Sequence, residues 1–191
     1  MPRLKFIAAL AAIILLRSLD LFLTFLYTPT LAGEWNPVVA RFNGAWTGMI
    51  LVQVVIIAVI SVPMYCYFTF TKTRIDEPGL GYSQFVHFYF FQTKPQGLKG
   101  LSVKPRNPRG LLIFNGFVLM WAVAGVSLFA IVHNLLLLRG FHPYERFVIA
   151  HTTPYIITAY LVIAAVPVYA FFLREFAAYR KRTAAPSGTN G

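Results

Sequence analysis

Apolar residues gather into four runs, about Leu4 to Tyr27, Trp46 to Phe70, Leu111 to Leu138 and Pro154 to Leu173. Each reaches the roughly 20 residues that a helix needs to cross the hydrocarbon of a bilayer. A helix is also how a single segment satisfies its own backbone in lipid, so the runs predict four transmembrane helices. Between the second and third lies a polar, basic stretch from Thr71 to Gly110. Within it Tyr82, Phe85, Val86 and Tyr89 recur at helical spacing, and Phe88, Phe90 and Phe91 widen the apolar face. This predicts a short helix lying in the membrane interface, with a strand as the alternative because Phe, Tyr and Val favour strands. From Lys94 to Arg109, Pro95, Pro105 and Pro108 are expected to keep the chain extended. The tail from Thr183 to Gly191 is small and polar, which predicts disorder. The organisation is one membrane domain, residues 1–182, followed by that tail.

Composition agrees with this pattern. Of 191 residues, 58% are apolar and 12% charged, about half the charge of a soluble domain. In a soluble chain the net charge of +11 would suggest nucleic acid. Here it sits between apolar runs, where it sets topology and meets anionic lipid headgroups. Thirteen of the 17 Lys and Arg fall on one side: before the first run, between the second and third, and after the fourth. Only Arg41, Arg139 and Arg146 lie on the other, so both termini are expected to be cytoplasmic. Thr30-Leu31-Ala32 has the spacing of a signal-peptide cleavage site. The apolar stretch before it exceeds the 7–15 residues of a signal core and is interrupted by Arg17 and Asp20, so a retained helix is expected. The lone cysteine, Cys66, excludes an internal disulfide and a cysteine metal cluster.

Chemistry first shows in the first run. Arg17, Asp20, Thr24 and Thr28 follow i, i+3, i+7, i+11 and share one helix face. Fourteen Leu, Ile or Phe residues between Leu4 and Leu26 each favour insertion by about 0.3–0.6 kcal/mol, against about 2.5–3.5 kcal/mol for each ionised residue at the bilayer centre. The balance is close, which predicts that Arg17 and Asp20 are off-centre, paired, or turned toward the bundle interior rather than toward lipid. At 1.5 Å per residue they lie roughly 15 and 10 Å below Tyr27, and Gln53 of the second helix lies at a matching depth. Gln53 is therefore expected to meet Asp20 or Arg17. In the connecting loop, Asn36 before Pro37 has the pattern of an N-cap and first helical residue. Glu34 would then sit near the positive end of that helix, at the mouth of the stripe.

Asp20-x-x-x-Thr24, then Glu34-x-Asn36-Pro37 and a polar residue in the next helix, resembles the hairpin of a family of short bacterial and archaeal membrane proteins of unknown function. The resemblance covers about Ile13 to Ile60. It implies a bacterial or archaeal cytoplasmic membrane and carries no activity. Members of that family tend to have a Lys where this chain has Gln53, so Arg17 would here neutralise the acid.

His133, His142, Glu145 and His151 are expected at the same outer level, and they could hold a divalent metal or, through His133 and His151, haem b. Their spacing matches neither an H-E-x-x-H helix nor a C-x-x-C-H attachment, and no G-x-S-x-G or phosphate loop occurs. The expectation is an all-α four-helix membrane bundle with an outward-facing polar cavity formed by Arg17, Asp20, Thr24 and Gln53, covered by Glu34 and His151 and with Asn36 in the same polar cluster, the cavity being a structural lock or a small-ligand site. Its expected role is that of a non-catalytic accessory or assembly component of a membrane complex or homo-oligomer, with no cofactor. The alternatives are an outer-face enzyme or metal or haem protein, and a small proton-coupled carrier titrating at Asp20.

Overall fold

A computed structural model describes residues 1–31, 46–93 and 104–184. It contains α1 (Pro2–Tyr27), α2 (Trp46–Thr69), α3 (Tyr82–Phe91), α4 (Pro108–Leu138) and α5 (His142–Ala184), and no strand among the described residues. Four segments are long and apolar enough to cross a membrane: α1, α2, α4 and Pro154–Ala184 of α5. The protein is an all-α, multi-pass membrane bundle.

Helix ends depart from the sequence expectation where capping and ion pairing intervene. Pro108 opens α4 instead of keeping the chain extended, because its missing N–H costs nothing in a first turn. Asn107 caps that turn, its Oδ1 accepting from the Gly110 N–H at 2.8 Å. At the other boundary α5 does not stop at Leu173. It continues through Arg174 and Glu175, which neutralise one another, and reaches Ala184, two residues into the expected tail. The outer segment from His142, expected as a loop, is the first part of α5. A break at His151 (φ −131°, ψ 22°) separates it from the span. Pro154, three residues on, lacks the N–H that would bond the carbonyl of Ala150, which accounts for a kink here.

The centre of the bundle is α4, which packs against α1, α2, α3 and α5. At mid-depth Ile13, Ile60 and Met64 close the seam of α1 and α2. Gly116 lets α4 approach α2 so closely that a Cβ there would stand 2.0 Å from the Pro63 carbonyl oxygen. Toward the end where both termini lie is the largest apolar cluster, with Phe85 and Tyr89 of α3 packed among Phe117 of α4 and Phe171, Phe172 and Tyr179 of α5. The expected interfacial helix is thus present as α3. Its apolar face is covered by α4 and α5, with Phe85 and Tyr89 only 2% and 1% exposed.

Because backbone, and not a movable side-chain end, faces Gly116, G116A should lower stability by about 1–3 kcal/mol. G125A meets only the end of the Ile163 side chain, at 2.8 Å, and should cost less. Thermal unfolding of both variants in detergent checks the order.

Candidate functional site

Two ring contacts at opposite ends of α1, Phe6 with Tyr65 (5.3 Å) and Phe25 with Trp46 (5.4 Å), establish α1 and α2 as an antiparallel hairpin. In this register Gln53 lies level with the turn holding Arg17 and Asp20. Trp46 Nε1 donates to the Pro29 carbonyl at 2.8 Å and closes the outer end. Arg17 Nη1 and Asp20 Oδ2 pair at 3.1 Å, with side chains only 12% and 13% exposed. One turn outward, the Thr24 hydroxyl donates to the Asp20 carbonyl (2.9 Å) and accepts from Asn134 Nδ2 (3.0 Å). That bond sets α4 parallel to α1 and puts the fully buried Ser127 level with Arg17.

Gln53, expected to meet Asp20 or Arg17, makes no hydrogen bond to the Arg17 guanidinium. Gln53 is buried at 7% exposure, and its Oε1 and Arg17 Nε are both enclosed without a partner. The physical reason is packing. α1 lies more extensively against α4 than against α2, so the residue that reaches the stripe comes from α4. Nothing in the sequence marked Asn134 for this role, since adjacency in the chain favoured the first hairpin. Glu34 and Asn36 lie outside the described residues.

Family models, curated proteins and solved structures give no match to this chain. Its chemistry must be read from its own side chains.

The outer histidines are dispersed. Nδ1 of His133 hydrogen-bonds the Tyr144 hydroxyl at 2.6 Å, and Tyr144 in turn meets the Tyr155 hydroxyl at 2.9 Å. Burial and the bond to Tyr155 push the Tyr144 hydroxyl above its ordinary pKa, so it stays protonated at physiological pH. His142 pairs with Glu145 at 3.5 Å on the surface. His151 stacks on Phe147 at the kink of α5, where its Nδ1 bonds the Phe147 carbonyl. It is therefore on the far flank of α4 and does not cover the α1 stripe: α5 packs on α4 and α3, and reaches α2 through the Arg174 side chain. Among the described residues no three His, Cys, Asp or Glu side chains come together as metal ligands.

A second polar cluster, at the end of the bundle where both termini lie, has no counterpart in the sequence expectations. Glu175 is 5% exposed, and its Oε1 accepts from Lys72 Nζ (2.9 Å) and Arg174 Nη2 (3.0 Å). The Arg174 guanidinium also donates to the Tyr67 hydroxyl at 2.9 Å and lies over the rings of Tyr67, Phe117 and Phe171. Nearby, the Tyr179 hydroxyl accepts from the Leu80 N–H and donates to the Glu77 carbonyl, pinning the segment before α3 onto α5. Asn107 Nδ2 donates to the Tyr89 carbonyl (2.8 Å) and to Thr73 Oγ1 (3.2 Å), which joins that segment to both neighbouring helices. Burial pushes the Tyr89 phenol up to about 12, so it remains neutral.

Removing the carboxylate in Glu175→Ala leaves two cations without their shared acceptor and should cost about 1.5–3 kcal/mol. Asn134→Ala removes a single interhelical bond and should cost about 0.6 kcal/mol, at most about 1.7. Denaturant titration in detergent micelles gives the ranking. Equal losses would mean that the second cluster is no more than surface pairing.

Proposed function

We propose that this protein is a non-catalytic component of a membrane complex, an accessory or assembly subunit of a bacterial or archaeal cytoplasmic membrane, and that its outer polar cluster is a lock. The observation that carries this reading is the enclosure of Arg17, Asp20, Thr24, Gln53 and Asn134 between α1, α2 and α4, each less than 14% exposed. A transport site has to admit water or substrate to its titrating group. Here the pair is closed within one turn of α1, and the Thr24–Asn134 bond ties the next turn to α4. Polar side chains enclosed in this way fix which helix faces meet, much as a single buried Asn fixes register in a coiled coil. The lipid-facing side of α1, with Leu15, Leu19, Phe22 and Leu26 exposed, is apolar and available to a partner helix. The basic cytoplasmic side suits anionic headgroups.

Asp20→Asn separates lock from carrier. A lock predicts reduced accumulation and a lower unfolding temperature, whereas a carrier predicts a stable protein that has lost proton-coupled uptake in vesicles. Purification in mild detergent followed by mass spectrometry tests the subunit role. Wild type should bring a membrane partner in fixed ratio, and a chain recovered alone as a monomer would refute it.

A further inference from the structure

Where α5 breaks at His151, a groove of about 530 Å³ opens on the flank of α4, lined by Phe129 of α4 and by Phe147, His151, Tyr155, Ala159 and Val162 of α5, among others. This volume is within the range of small-molecule sites. The groove differs from an ordinary lipid-facing furrow in its polarity along the helix. Four rings stand at its outer end: Phe147 stacks on His151 (5.0 Å) and meets Tyr155 (5.4 Å), which in turn meets Phe129 (5.5 Å). Beyond Thr158 the lining is Ala159, Val162 and Ile163, without a polar side chain. From His151 to Ile163 the helix rises roughly 18 Å, so the site runs from a ring-walled polar mouth toward the middle of the bilayer.

No Lys, Arg, Asp or Glu lines the groove, so an anionic or zwitterionic headgroup finds no counter-charge in it. A flat, neutral ring suits the aromatic walls, since offset and edge contacts between rings add to the area they bury. The hydrogen-bonding groups narrow the class further. Nδ1 of His151 is engaged by the Phe147 carbonyl (3.2 Å), which can only accept, so Nε2 is the ring nitrogen left to face a ligand hydroxyl. Tyr155 ends the chain His133–Tyr144–Tyr155, in which each hydroxyl can donate in either direction. Polarised one way, Tyr155 donates to Tyr144 and accepts from a ligand; polarised the other way, it donates outward to a carbonyl. From this we infer that the groove binds a membrane quinone or its quinol, with the ring among Phe129, Phe147, His151 and Tyr155 and the tail along Ala159 and Val162. A head that exists as carbonyl or hydroxyl is the one for which a reversible donor is of use. This inference is independent of the lock described above.

The test is equilibrium binding of decylubiquinone to the full chain in phosphatidylcholine nanodiscs, measured as ligand retained beyond that in empty discs. Saturable binding of about one molecule per chain is expected. Ala159→Phe fills the groove and should weaken binding at least about tenfold, with an unchanged unfolding temperature. Should that variant not fold, Val162→Phe, at a position 55% exposed, repeats the test. His151→Leu should weaken binding several-fold. Retention no greater than in empty discs overturns the proposal, as does full binding by the folded groove-filling variant. Displacement by an equimolar amount of phosphatidylglycerol would show a general lipid furrow, and would overturn it too.

Discussion

An ionised Arg and Asp inside a membrane span must be kept from hydrocarbon, and the arrangement of α1, α2 and α4 follows from that requirement. At the bilayer centre each charge would cost about 2.5–3.5 kcal/mol. Pairing Arg17 with Asp20 on one turn removes the net charge but leaves a large dipole, so the stripe still needs a protein neighbour. α4 supplies it through Asn134, α2 supplies the enclosing wall through Gln53, and Gly116 against Pro63 holds those two helices close enough for the enclosure to exist. The opposite face of α1 then turns Leu15, Leu19, Phe22 and Leu26 into lipid, with the small hydroxyl of Ser18 among them.

The half of the bundle that carries both termini is organised differently. There the core is aromatic, and the charges sit at its edge. Glu175 is shielded by Lys72 and Arg174, and the Arg174 guanidinium is spread over three rings. Stacked on aromatic faces, a guanidinium stays in contact with π-electron density while it is withdrawn from water. The helix can therefore carry two charged residues through this level and continue into the basic segment beyond.

The apolar runs and the α3 periodicity were legible in the sequence because they are local: run length and residue spacing carry them directly. Arg17, Asp20 and Thr24 were legible as a face for the same reason, and the depth of Gln53 followed from helix rise alone. What remained hidden depended on which helices touch. Asn134 bonds Thr24 across 110 positions and Lys72 reaches Glu175 across 103, and no pattern within a single helix encodes either pair. Glu175 beside Arg174 reads in isolation as the end of a span. The histidines share an outer level by depth, yet the rotation of α4 and the kink of α5 send them to different faces, which a count of residues from the membrane surface cannot reveal.

The outer part of α5 is tied to α4 by the short turn Arg139–Phe141 and by the bond from His133 to the Tyr144 hydroxyl, while its inner part is gripped by Tyr179, Glu175 and the Phe171 and Phe172 rings. Between these two anchors the helix is interrupted at His151. An interrupted rod held at both ends can carry a different tilt in each part, so the outer segment need not share the direction of the span it leads into.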